Sequence, residues 1–500
     1  MALADIPSFG DIDADSDKLL EQCFEDHEAY RSALLHDRFL VLGRKGSGKT
    51  AIFRKIVNLR KHDVFSYGHT FTDYPWHHHD KQASIGVPEE ERFVHSWKYL
   101  IFMTLSKILL NLDGSQPWSL DAIDQLSRLE RFVVDSYGTR DPDITQIFSP
   151  ARRLQFNSSF ELPLGGFTIT VGTKSIPIEQ LPTVIQEVNR NLSDAVIASL
   201  NPACEYYVCF DQLDLGFDPT NQSYQNRLVG LLLAARDVNF KARQSGKKLS
   251  VIIFLRDDIY QILRFEDKNK LTEACSSLIQ WDTPQTDRTL KQLMEKRFAT
   301  VMNIAEDGAW NIMFDEAQLM TGKQSKYHHI TDRTFLRPRD IIKFCNEILV
   351  SYKRRPLLAS GVRSDKFDNR DIQVARDAYS AYFLKELDDE IFKHFPQYES
   401  YVEILKGLDS LYFTMDDFSE ALFKRKQILP EKLDSISVLK TLFDFSIISY
   451  YSAGGSGYGG ADYIWRYKNS RAQFNEAATK FRIHPGFREA LGVKKFTKSG

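Results

Sequence analysis

Eight consecutive residues, Gly43-Arg44-Lys45-Gly46-Ser47-Gly48-Lys49-Thr50, fit the pattern G-x-x-x-x-G-K-[ST]. The glycines let a backbone bend tightly enough for successive N–H groups to converge on phosphate oxygens. A helix opening at the end of the loop adds partial positive charge there. In such a loop Lys49 is expected to reach the β- and γ-phosphates, and Thr50 to put its hydroxyl on Mg²⁺. Residues 43–50 are therefore the candidate cradle of a nucleoside triphosphate, with ATP and Mg²⁺ as the expected cofactors. A glycine-rich turn that binds nothing is the rival reading.

A phosphate loop needs a second carboxylate for its metal. Asp211 closes the apolar run YYVCF and is the candidate, so Thr50 and Asp211 form the expected metal pair. Gln212 follows where many such ATPases carry a glutamate that orients the attacking water. Asp214 is the next carboxylate and the candidate base; a loop cap is its alternative. Arg256 ends a second apolar run, VIIFL, where a residue sensing the γ-phosphate could sit. Its alternative is an ion pair with Asp257 or Asp258. Lys49, Asp211, Asp214 and Arg256 make up the expected catalytic set. Arg337-Pro338-Arg339-Asp340 precedes an amphipathic run, IIKFCNEIL. One of its guanidiniums could reach phosphate bidentately, and a structural Arg–Asp cap is the rival. Arg297 is a weaker candidate. His77-His78-His79 reads as a solvent-facing loop, because consecutive side chains cannot all point at one metal.

These residues need a scaffold. Apolar runs at 38–42, 64–71, 206–210 and 249–255 read as strands, and the stretches between them show helical spacing. Strands alternating with helices predict an α/β fold, a parallel sheet flanked by helices. Residues 15–35 read as a helix capped by Asp15 or Ser16, and 92–112 as an apolar helix central to packing. Between 114 and 180 Gly, Pro, Ser and Thr rise, and an insertion is expected, with a hairpin of Leu154–Phe160 against Phe167–Gly172. A helix over 178–200 leads back to the main unit. The expected organisation is a core over 1–285, a helical lid over 286–392 and a winged-helix-like unit over 393–500. Its helices are read at 413–424 and 433–445, and its hairpin at 447–451 with 463–467. The putting-together of Trp465, Arg466, Tyr467, Lys468 and Arg471 could serve nucleic acid, a packing hairpin or a protein interface.

The chain has 500 residues, 65 basic and 67 acidic, and 43% are hydrophobic. A net charge of −2 excludes a globally basic nucleic-acid binder, though not a local basic groove. The apolar content argues against large-scale disorder. Five dispersed cysteines without a Cys-x-x-Cys pair exclude a zinc ribbon and suit a reducing compartment. With no apolar run long enough to span a bilayer and no leader-like start, a cytoplasmic protein without membrane contact is expected.

The blocks GRKGSGKTAI, FDQLD, FLRDDIY with FEDKNK, RPRDIIKFCNEIL and IWRYKNSRAQFNEAATKFRIHPGFREALG together resemble bacterial P-loop ATPases. These are related to the signal-transduction and KAP-type NTPases often found in antiphage defence islands. The resemblance runs from about Phe9 to Gly492 and is faintest over 114–180. It implies an ATPase core, a helical lid and a C-terminal winged helix working as a nucleotide-driven switch, a homo-oligomer with an effector or partner protein. In that superfamily an acidic residue commonly follows the metal-binding aspartate, and Gln212 departs from this. Three functions are in view: an ATP-hydrolysing switch of a defence or stress-response assembly, a DNA-stimulated ATPase, and a nucleotide-stabilised scaffold without turnover.

Overall fold

The computed structural model describes residues 2–71, 79–80, 83, 89–148, 154–156, 174–176, 181–283, 286–355, 364–392, 394–395, 397–425, 434–453 and 462–493. The chain divides into two compact units. One comprises Met1–Glu25, Lys45–Gly48 and Gln280–Gly500; the other comprises Asp26–Arg44 and Lys49–Ile279.

The second of these is a mixed α/β unit built on a parallel sheet. Its strands are β1 (Leu40–Gly43), β2 (Val64–Thr70), β5 (Glu205–Asp211), β6 (Lys248–Arg256) and β7 (Ser276–Leu278), in the order β2-β5-β6-β1-β7. Every β1 residue is buried, as is nearly all of β5 and β6, which is why they read as continuous apolar runs. Gly43 pairs with Arg256 and Thr70 with Asp211, so the carboxyl ends of β1, β5 and β6 share one edge of the sheet. Ligands of open parallel sheets bind at that edge.

The apolar stretch expected over 92–112 forms a helix, Val94–Lys107, closing in a π-turn, Ile108–Leu112. It packs on the helices Leu181–Ser199 and Gln222–Gln244. Trp97, Tyr99, Leu100 and Met103 are fully buried in one core with Val208, Phe210 and Val251. The 114–180 stretch is not merely inserted chain. Its helix Leu120–Tyr137 buries Leu129, Phe132 and Val133 in that core. The hairpin register also differs from expectation. β3 (Leu154–Phe156) pairs with β4 (Lys174–Ile176), while 157–173, including the Gly-Gly turn, lies outside the described residues.

The other unit is largely helical. The helix Leu290–Met302 opens with a capping box of Thr289 and Gln292, and Pro338 starts the helix Pro338–Arg354. Residues 2–25, expected in the core, belong here instead. Phe9 packs edge-on to Phe298 at 4.8 Å, and its N–H donates to Asn346 Oδ1 at 2.8 Å. Buried Arg297 donates to the Phe9 carbonyl and to Asp17 Oδ2 at 2.7 Å. Of the helix expected over 15–35 only Glu28–Leu34 forms, capped by His27.

The segments expected as a separate lid and tail also fall in this one unit. Phe383 stacks on Phe487 at 4.6 Å, and Ser380 Oγ donates to the Gly486 carbonyl at 2.7 Å. From residue 398 the order is helix Tyr398–Lys406, strand β8 (Tyr412–Thr414), helix Met415–Arg425, helix Ser435–Asp444, then strands β9 (Ile448–Ser452), β10 (Asp462–Ile464) and β11 (Lys480–Ile483). The strands form an antiparallel sheet in the order β10-β9-β11-β8. The loop after β9, residues 454–461, lies outside the described residues.

Candidate functional site

The loop 43–50 joins β1 to the helix Lys49–Val57. Gly46 and Gly48 have φ of +76° and +107°, a region L-residues rarely enter. A Cβ on Gly46 would come within 2.9 Å of Arg339 Cβ, whereas one on Gly48 would meet nothing within 4 Å. Gly46 is thus a packing glycine, and Gly48 opens onto space.

The carbonyls of Lys45, Gly46 and Ser47, residues that belong to the helical unit, are held within that unit. Arg337 Nη1 donates to the Lys45 carbonyl at 2.8 Å, the Arg339 N–H to the Gly46 carbonyl at 3.4 Å, and Trp281 Nε1 to the Ser47 carbonyl at 3.0 Å. In a trans peptide the carbonyl of one residue and the N–H of the next point oppositely. The N–H groups of Gly46, Ser47 and Gly48 therefore face away from these donors.

Arg337 is only 2% exposed. Asp340 grips it in a fork, Nε to Oδ2 at 2.9 Å and Nη2 to Oδ1 at 3.0 Å, and Glu390 takes a further bond from Nη1. Burial works against the charge, but Asp340 and Glu390 outweigh it and raise its pKa. Arg339 donates to Glu386 at 2.8 Å and to the Ile12 carbonyl at 3.3 Å. Lys45 pairs with Asp389 at 3.1 Å. Both arginines expected at phosphate are thus spent on carboxylates and backbone. The Arg–Asp cap weighed as the rival is what Arg337 and Asp340 form. Arg297 is likewise committed to Asp17 and Phe9.

In the sheet unit, Lys49 Nζ donates to the carbonyls of Gly43 at 2.9 Å and Arg44 at 3.0 Å. Burial lowers the Lys49 pKa, and the charges of Asp214 and Asp211 oppose that shift. Asp211 is 2% exposed and receives a hydrogen bond from the Thr50 hydroxyl. Burial pushes its carboxyl up to about 6, against the Thr50 and Gln212 hydrogen bonds and the Lys49 charge. Asp211 Oδ2 is buried with no hydrogen-bond partner, and so is Ser47 Oγ. A buried carboxylate oxygen left unmatched is costly unless something binds it.

Arg256 ends β6 and is 6% exposed. Its Nε and Nη2 hold Asp258 at 3.0 and 2.5 Å, and its Nη1 lies 3.4 Å from Asp214. The structure thus groups Lys49, Thr50, Asp211, Asp214 and Arg256 at the carboxyl edge of the sheet, with Arg256 in the ion pair with Asp258 that was its alternative. Gln212 has a left-handed backbone, φ +60°. That kink turns the chain directly after Asp211.

Sequence reasoning missed Trp281, Glu386 and Glu390. The i, i+3 spacing of Arg337 and Asp340 signals their pairing, but nothing local marks Trp281. His79 also departs from expectation: it is buried, hydrogen-bonded to Ser96 and packed on Trp97 at 3.9 Å; His77 and His78 lie outside the described residues. Among the described residues no group of three His, Cys, Asp or Glu could hold a metal alone. No helix among them is long and apolar enough to cross a membrane.

Residues 288–388 match the family described as the FunZ-associated C-terminal helical domain. The match contains Arg337, Arg339 and Glu386. A protein of Escherichia coli (strain K12) named "Putative transposon gamma-delta 80.3 kDa protein" is 22% identical over 420 residues. The alignment covers 80% of this chain and 54% of that protein, so the chain spans about half the length of this curated relative.

Proposed function

We propose that the chain binds ATP with Mg²⁺ in the loop 43–50 and hydrolyses it slowly, as the switching ATPase of a bacterial antiviral or stress-response assembly. The observation that supports this is the anchoring of three successive loop carbonyls, which leaves the following amides turned away from those donors. The fit to a metal rests on the unmatched Asp211 oxygen beside the Thr50 hydroxyl. Thr50 and Asp211 would hold Mg²⁺, which neutralises phosphate charge when bound. Lys49 releases the Gly43 and Arg44 carbonyls to a phosphate, a gain because an anion answers its charge better than two neutral oxygens. Asp214 would be the carboxylate that orients a water, a role supported by its contact with Arg256 Nη1 at 3.4 Å.

Phosphate release by the purified chain tests this. Lys49→Ala and Asp211→Ala should each abolish Mg²⁺-dependent turnover. Turnover by Lys49→Ala at the wild-type rate contradicts the assignment.

A second reading, a DNA-stimulated ATPase, is favoured by the order of elements from 398 to 483, which suits a winged helix. The relative's transposon name agrees with a setting in mobile DNA. Stimulation of turnover by duplex DNA that falls steeply with salt supports it. Ligand-induced stabilisation without phosphate release supports instead a scaffold, for which the Gln212 substitution speaks.

A further inference from the structure

We propose that the outer face of the C-terminal sheet is a platform for single-stranded nucleic acid. Successive side chains of a strand point to opposite faces, so register sorts them. Phe413, Ile448, Phe481 and Ile483 fall on one face and are buried. On the other face Tyr463 stands opposite Tyr451, and Arg482 opposite Tyr412, with Lys480 two residues along β11. Lys480 is exposed, and the three tyrosines and Arg482 are half-exposed.

These side chains form one continuous row. Tyr412 and Tyr463 have ring centroids 5.7 Å apart, and Tyr463 and Tyr451 5.5 Å. The Arg482 guanidinium lies 5.3 Å from the Tyr412 ring and 5.9 Å from that of Trp465; Lys480 Nζ lies 5.9 Å from the Tyr451 ring. Neither cation has a carboxylate partner among the described residues, and Arg482 Nε is buried without an acceptor. Arg337, buried in the same unit, is by contrast answered by Asp340 and Glu390.

Half-exposed aromatic planes flanked by cations without a carboxylate match a ligand of stacked rings joined by phosphates. A duplex hides its base faces, so tyrosine planes have nothing in it to stack on. Phosphates along a single strand would answer both cations while its bases stack on the tyrosine planes. The site is remote in sequence from the glycine loop and does not depend on the triphosphate reading.

Fluorescence anisotropy on the full chain, with no nucleotide added, tests it with oligo(dT), oligo(U) and a duplex. Single strands should bind and weaken with salt, and the two oligomers distinguish DNA from RNA. Tyr463→Ala and Tyr412→Ala should each weaken binding about fivefold or more. Tyr463→Leu keeps apolar bulk without a stacking plane and should fall as far as Tyr463→Ala. Lys480→Gln, an exposed change, should leave the melting temperature unaltered and lower the salt slope by about 0.7. Absence of single-strand binding at low salt overturns the proposal. So does equal binding by the tyrosine variants, duplex binding they leave unchanged, or chain self-association that Lys480→Gln disrupts without any oligomer bound.

Discussion

Asp211 is buried with one carboxylate oxygen unmatched, an arrangement that costs stability. Unfolded, its carboxyl titrates near the ordinary 3.8; folded, it titrates near 6. Between those values the native state keeps a proton that the unfolded chain has released. Its contribution to stability is therefore greatest in acid, falls as pH rises through this window, and stays low above it. Raising the carboxyl this far by burial corresponds to something on the order of 3 kcal/mol. Urea unfolding of wild type and Asp211→Asn should diverge accordingly, wild type losing ground to the variant between about pH 4 and about pH 7. A difference independent of pH contradicts this assignment. Magnesium bound at Asp211 would displace that same proton, so nucleotide-dependent stabilisation should grow as pH rises through 6. The place of Asp211 at the end of a strand was legible, because an apolar run ending in Asp is a local signal. The unmatched oxygen was not, because burial and partnering are settled by residues far away in sequence.

At the scale of elements, local pattern and tertiary demand part company in a consistent way. β5, β6 and the helix Val94–Lys107 were legible because burial on all sides leaves long apolar runs, and the four-residue β1 because the glycine loop follows it directly. β7, β8 and β11 are three or four residues each and too short to carry a period. The helix expected over 15–35 shrinks to Glu28–Leu34, and Asp17 pairs instead with Arg297, 280 residues away in sequence; no window around it records that. The grip on the loop is of the same kind. Trp281, Arg337 and the backbone of Arg339 converge on carbonyls 45–47 only in three dimensions. Arg337→Gln leaves Asp340 and Glu390 as unanswered buried acids and should destabilise by about 3–5 kcal/mol in denaturant unfolding. Trp281→Phe removes a single bond to the Ser47 carbonyl and should cost about 1 kcal/mol plus a loss of nucleotide affinity. Stability and affinity both unchanged in Trp281→Phe would show that this bond does not shape the loop.

For the whole molecule, composition marked a globular chain with ample core and no global basic charge, and the α/β class with a helical C-terminal half follows from the order of apolar runs. Where the units divide was not legible. Residues 2–25 join the C-terminal unit, and the lid and tail expected as separate fall together, because Phe9 on Phe298 and Phe383 on Phe487 are packing choices no linker composition announces. A ligand that binds only the folded chain stabilises it, by about 2.7 kcal/mol at 100 times its Kd. ATP with Mg²⁺ should therefore raise the melting temperature, and EDTA should remove the metal-dependent part of that rise. The central claim is that the loop 43–50 holds a nucleoside triphosphate. Isothermal titration of ATP with Mg²⁺ into the wild-type chain and into Lys49→Ala tests it most directly: saturable binding at one site per chain, lost in the variant, is the predicted result. No heat of binding with wild type, or equal affinity in both, would contradict it.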